Sequence, residues 1–189
     1  MDSISRFLRE TLRLKVNPTK SAVDRPWKRK FLGFSLSRER VSRIGVAPES
    51  VRRFRDKVRA KFREGRGRNL KAFLTQALQP LLRGWAGYFS VAETRSVFVE
   101  LDQWVRRKLR CVEWRKWKRG RTRYRKLLSC GFTEEQARLS AFNGRGPWWN
   151  AGSQHLNAAL PTNYFRRLGL VSLLEEVNWR TALRAARLS

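Results

Sequence analysis

Val51, Phe54, Val58 and Phe62 stand at helical spacing, and six of the eight residues between them are arginine or lysine. A strand would send alternate side chains to opposite faces and drive cations into whatever it packed on. A helix gathers the four apolar residues into one narrow stripe and leaves the cations outside. The segment is therefore read as a helix whose charged face meets solvent or an anion. The same grammar recurs twice downstream. Leu70, Phe73, Leu74, Ala77, Leu78 and Leu81 form a second face, with Asn69 as its N-cap. Val97, Phe98, Leu101, Trp104, Val105, Leu109 and Val112 form a third, with Thr94 as its N-cap. Three such helices can bury a shared core.

The cations set the partner. The chain has 189 residues, 43 of them basic and 15 acidic, for a formal net charge of +28. Arginine accounts for 32 of the 43, and its planar fork suits phosphate and stacking on rings. The excess is +8 over residues 1–47, +8 over 48–92, +9 over 93–131 and only +3 over 132–189. Positive charge thus lies on segments with helical or strand patterning and not in a tail. A hydrophobic content of 41% with 8 tryptophans excludes a disordered basic arm. Nucleic-acid backbone is the natural counter-charge, because binding it releases condensed counterions. Charge alone does not separate RNA from DNA. No apolar run approaches the ~20 residues of a membrane span, and Met1–Arg6 lacks a signal-peptide core. A cytoplasmic protein that does not use a membrane is expected.

Around the three helices the patterning is mixed. Ile4, Phe7, Leu8 and Leu12 suggest a helix over 3–14 with Ser3 as N-cap, ended by Asn17-Pro18. Residues 31–36 and 41–46 read as two strands joined by a turn over Ser37–Arg40. Gly65-Arg66-Gly67-Arg68 breaks the first basic helix, and Gly84-Trp85-Ala86-Gly87-Tyr88-Phe89 alternates small and large residues as if to let backbones approach closely. Thr133 and Gln136 make a capping box for a short helix to about Phe142. Residues 144–147 form a loop, and 153–177 suggest two short helices divided by Pro161. From Arg180 the chain reads as a frayed basic tail. The expected fold is mainly α, a helical bundle preceded by a small α+β part with a β-hairpin.

The densest constellation runs from Trp104 to Lys126, with 12 basic residues against Glu113 alone. The candidate nucleic-acid contacts there are Arg106, Arg107, Lys108, Arg110, Arg115, Lys116, Lys118, Arg119, Arg121, Arg123, Arg125 and Lys126. Arg52, Arg53, Arg55, Lys57 and Arg59 on the first basic helix join them. Trp114 and Trp117 either stack on unpaired bases, worth roughly 1–3 kcal/mol each, or pack into the core. Catalysis has little support. His155 has no evident nucleophile to serve. Cys111 and Cys130 have no further ligands at metal-site spacing, and the carboxylates are scattered. No catalytic and no metal-binding residue is assigned.

Several segments resemble group II intron reverse transcriptases. Leu82-Arg83-Gly84-Trp85-Ala86-Gly87-Tyr88-Phe89 is similar to that family's Gly-Trp-x-x-Tyr-Phe maturase signature, and the structural signature residues implied are Gly84, Trp85, Tyr88 and Phe89. Leu14–Ser21 resembles a Leu-x-x-Asn-x-x-Lys-Ser box near the end of the palm. Lys30-Phe31-Leu32-Gly33-Phe34 resembles the strand that follows, which makes Phe31, Leu32 and Gly33 primer-grip-like. Trp114–Lys118, Gly146–Trp149 and Leu168–Leu170 resemble the post-thumb region of bacterial members. The resemblance implies the end of the palm at 1–47, a thumb or maturase domain at 48–112, a basic nucleic-acid-binding region at 113–177 and a C-terminal tail at 178–189.

The function implied is binding of structured group II intron RNA to assist its folding and splicing. Target DNA or an RNA–DNA duplex, and the family's fingers and palm, are further partners on the same basis. The family copies RNA into DNA with metal-bound aspartates in a Tyr-Ala-Asp-Asp box that lies upstream of Asn17. This chain starts after that point, so Lys20, which matches a lysine thought to assist nucleotide addition, has no metal site to serve. No cofactor is expected here, since Mg2+ would belong with that palm. The alternative implied is the thumb half of an active RNA-directed DNA polymerase, holding a template-primer duplex for a separate catalytic half.

Overall fold

A computed structural model describes residues 2–17, 23–65, 67 and 69–187. The chain runs α1 (Asp2–Glu10), β1 (Lys30–Phe31), β2 (Phe34–Leu36), β3 (Ile44–Val46), α2 (Pro48–Glu64) and α3 (Leu70–Ala72). A π-helical segment (Phe73–Leu78) leads directly into α4 (Gln79–Tyr88) and a 3-10 turn (Phe89–Val91). Then follow α5 (Ser96–Lys116), α6 (Gly120–Ser129), α7 (Glu134–Ala141), α8 (Pro147–Asn150), α9 (Gln154–Ala159), α10 (Thr162–Arg167) and α11 (Leu173–Ala186). The fold is mainly helical with a small antiparallel sheet ahead of the helices, as the patterning predicts.

The apolar stripes meet in one core. Phe54 and Val58 of α2, Leu74, Leu78, Leu82 and Ala86 of the next helix, and Phe98, Leu101, Val105 and Leu109 of α5 are all buried there. Trp85 is the hub of its aromatic part, with ring centroids 4.4 Å from Phe54, 4.7 Å from Phe89 and 5.6 Å from Phe98. The α3–α4 helix is not uniform, for a reason the sequence contains. In an α-helix the ring of Pro80 would press on the Gln76 carbonyl. The π segment widens the turn just before it, and Gln79 N–H donates to the Leu74 carbonyl, five residues back. Asn69 caps this helix through Lys71 N–H and Ala72 N–H. The capping box of Thr133 and Gln136 opens α7.

Four local expectations are corrected. Residues 31–36 are not one strand. Leu32 (φ 50°) and Gly33 (φ 83°) form a two-residue turn that pairs Phe31 with Phe34, so the sheet has three strands in the order β1-β2-β3. Ser3 lies inside α1, which ends at Glu10 and buries none of its residues. Arg95, not Thr94, stands at the N-cap of α5 without a side-chain cap. Gly84 has open space around it, so the signature's close approach is at Gly87, where a Cβ would lie 3.0 Å from the Arg180 guanidinium. The sheet is fastened to the helices. Tyr88 Oη donates to the Leu32 carbonyl (2.8 Å), and Glu93 receives Ile44 N–H on its carboxylate while its own N–H donates to the Ile44 carbonyl.

The expected frayed tail is a helix. Residues after Arg180 continue α11, because Thr181 and Arg184 find partners on the buried Ser90. At its other end α11 is capped by a charge from α5. Asp102, buried, accepts from Ser172 Oγ (2.6 Å), Leu173 N–H (2.8 Å) and Leu174 N–H (3.2 Å). Those backbone groups are orphan donors of the first turn, and a carboxylate there also meets the positive end of the helix dipole. Asp102→Ala leaves them buried and unpaired. It should lower unfolding free energy by about 2–4 kcal/mol, read as a fall in the urea midpoint. A midpoint equal to that of the parent protein would show that α11 docks without this cap.

Candidate nucleic-acid interface

The C-terminal half of α2 and the C-terminal half of α5 diverge and leave a groove of about 1060 Å3. Its cationic lining is Arg59, Arg63, Lys108, Arg115, Lys116 and Lys118, with Asp56 as the one lining carboxylate among the described residues. Its floor is apolar: Phe62, Leu70, Phe73, Cys111, Val112 and the ring of Trp148. The floor exists because α2 stops at Gly65. A Cβ at Gly65 would lie 2.4 Å from the Phe73 ring, so glycine lets that ring come forward and meet Phe62 edge to face at 5.1 Å. Two of the cations are partly neutralised, Arg59 by Asp56 (2.6 Å) and Lys116 by Glu113 (2.7 Å). Burial and the charges of Arg59 and Arg115 push the Lys108 ammonium below the ordinary lysine range, against a smaller opposite effect from Cys111.

Aromatic rings hold the upper rim in place. Arg55, Arg59 and Lys108 lie over the Trp104 ring at 5.8, 5.6 and 5.1 Å. Arg107 lies over the Trp148 ring at 4.4 Å and donates through Nε and Nη2 to the Trp148 carbonyl (3.3 and 3.1 Å). Gly152 makes room for that guanidinium, since a Cβ there would sit 2.7 Å from its Cζ. The buried amide of Asn150 donates to the carbonyls of Arg145 (2.9 Å) and Gly146 (3.1 Å), which fixes the loop leading into α8. Trp148 is therefore held at its carbonyl and its ring, and the residue stays 41% exposed.

Of the residues singled out in the sequence, the groove brings together Arg59, Lys108, Arg115, Lys116 and Lys118. Arg52, Arg53, Lys57, Arg119, Arg121, Arg125 and Lys126 are exposed, and Arg106 is half-buried; none of these lines the groove. Arg110 does not join the surface. It is buried, its Nε donates to the Leu160 carbonyl (3.0 Å), and desolvation brings its pKa down to about 10. Arg123 is half-buried over Trp114 at 4.6 Å and bonded to the Trp117 carbonyl. Trp114 and Trp117 are core residues, both buried, so the stacking reading fails for them. Phe31 and Leu32 are exposed at the hairpin tip, and the Gly33 carbonyl accepts from Ser50 Oγ. Trp85, Tyr88 and Phe89 act structurally, as described, whereas nothing packs on Gly84. Lys20 lies outside the described residues. Arg63, Phe62, Phe73 and Trp148 complete the groove without having been assigned to it. Their signal was there, since Phe62 ends the first apolar stripe and Trp148 follows a Gly-Pro helix start, but spacing alone could not join residues 62 and 148.

Among the described residues no group of three or more His, Cys, Asp and Glu side chains could hold a metal ion, and no helix is long and apolar enough to cross a membrane. Residues 51–131 match the family model of the group II intron, maturase-specific domain. No curated protein matches the chain. The matched span contains all six lining cations; Trp148 lies beyond it.

Behind the groove's far wall His155 packs between Trp114 and Trp149, with ring centroids at 5.9 and 6.4 Å. Its Nε2 lies 3.0 Å from both Ser153 Oγ and Asn150 Oδ1, while Ser153 Oγ donates to the Asn150 carbonyl at 2.5 Å. The hydroxyl proton is thus committed to a carbonyl, and the imidazole donates through Nε2 instead of acting as a base toward serine. Burial lowers the His155 pKa. The unfolded chain therefore binds this proton more readily than the folded one, so the contribution is present above the unfolded pKa of about 6.5 and is lost as pH falls below it. The urea midpoint should drop between pH 7.5 and pH 5.5, and His155→Gln should shrink that drop. An equal drop in both proteins would assign it to other groups.

Proposed function

We propose that this protein binds structured group II intron RNA and assists its folding and splicing as a maturase. The observation that carries the reading is the α2–α5 groove, whose six cations all fall in the span matching the maturase-specific domain. A groove of this kind follows phosphates through bends of a folded RNA and recognises shape more than sequence. No chemistry is required of the protein. Preferential binding of the splicing-competent fold shifts the RNA population toward that fold by the difference in affinity. Five of the cations, Arg59, Arg63, Arg115, Lys116 and Lys118, are exposed, which suits successive phosphates better than a single anion.

The salt dependence of affinity tests this directly. Binding of a folded group II intron RNA, followed by filter retention from 50 to 300 mM salt, should weaken steeply. Replacing Arg63, Arg115 and Lys118 together by glutamine should weaken it further and reduce the logarithmic slope by about one for each phosphate no longer neutralised. Replacing Arg138 on α7, exposed and away from the groove, is the control. A shallow slope in the parent protein, or equal affinity for the intron and a random duplex, would remove the reading. A triple variant no weaker than the control would move the interface elsewhere.

A further inference from the structure

We infer that the α2–α5 groove accepts an unpaired, extruded nucleotide of the bound RNA, with its base stacked on Trp148. The inference rests on the proposed RNA-binding reading and adds the element of the RNA that is recognised. Phosphate tracking needs only the cationic rim. It gives no reason for an apolar lining of Phe62, Phe73 and Val112, or for an exposed tryptophan fixed beside them. Groups in a duplex that face a protein are phosphates, sugars and base edges, all polar. The apolar face of a base is available only where pairing and stacking are broken. The groove offers that face a matching surface with cations close enough to hold the flanking phosphates.

Trp148 has the attributes of a stacking platform. The residue is 41% exposed, with Arg107 and Lys108 both over its ring. Arg107 lies over it at 4.4 Å and clamps its carbonyl, and Gly152 and Asn150 keep that arrangement in place. A pre-ordered ring loses little side-chain entropy when a base settles on it. Stacking of this kind tolerates any base, so the site selects the extruded geometry and not its identity.

The test compares two RNA hairpins of equal length at 150 mM salt, one fully paired and one carrying a single-nucleotide bulge in mid-stem. The intact chain should bind the bulged hairpin about tenfold more tightly. Trp148→Ala should bring the two affinities to within about twofold, and Trp148→Phe, which keeps a ring, should retain most of the preference. Circular dichroism and thermal midpoints of both variants check that the fold is kept. Equal affinities in the parent protein overturn the inference, as does a preference that survives Trp148→Ala in a folded protein. If paired and bulged hairpins bind equally with a steep salt slope, only the stacking site fails. If neither binds, the RNA-binding reading fails with it.

Discussion

Helix α5 has to be two things at once. Its second half interleaves apolar residues with cations, and it packs against α8 and α11 and reaches α2 through Trp104 and Lys108. A helix in that position cannot bury only apolar groups, and α5 buries three charged ones: Asp102, Arg110 and Glu113. Two of them bind another element, and the third fixes a cation of α5 itself. Asp102 caps α11, Arg110 holds the carbonyl of Leu160 between α9 and α10, and Glu113 keeps Lys116 on the groove wall. A buried charge without such a partner would cost several kcal/mol, so the placement of the C-terminal helices is tied to Asp102 and Arg110.

The same economy explains why arginine outnumbers lysine. Much of the arginine faces solvent, but a subset fastens loops by donating to backbone carbonyls: Arg95 to Ala92, Arg107 to Trp148, Arg110 to Leu160 and Arg123 to Trp117. A guanidinium can meet a carbonyl along its edge and an aromatic ring on its face, as Arg107 and Arg123 do. A lysine ammonium cannot do both. The exposed ion pairs contribute little by comparison, since their side chains remain open to solvent.

What could be read from the sequence was whatever depends on local periodicity or local hydrogen bonding. The stripes of α2 and α5 follow from 3.6-residue repetition, and the caps at Asn69 and Thr133 from side chains that reach only two or three residues. What could not be read depends on distant partners. Leu32 occupies a left-handed conformation that its side chain disfavours, and it is held there from Tyr88, 56 residues away. The tail became a helix because Ser90 offers an otherwise buried hydroxyl and carbonyl to Thr181 and Arg184. Trp114 and Trp148 each stand in a segment resembling the post-thumb region, and local spacing does not tell their roles apart. Only the packing of α6, α8 and α9 decides that one is core and the other is surface.

The groove also connects stability to ligand. Six cations line one depression, and burial together with the charges of Arg59 and Arg115 lowers the Lys108 pKa. The fold tolerates this crowding of charge because the groove floor is made of rings already committed to the core, and because Asp56 and Glu113 each offset one neighbour. An RNA phosphate in the groove removes the repulsion that the bare protein carries. Binding and folding are then the same equilibrium viewed from two sides: an anion that binds only the folded chain stabilises it in proportion to the logarithm of its concentration over its dissociation constant. A groove built from like charges on two different helices is therefore stabilised by an anionic ligand, which agrees with the RNA binding proposed for it.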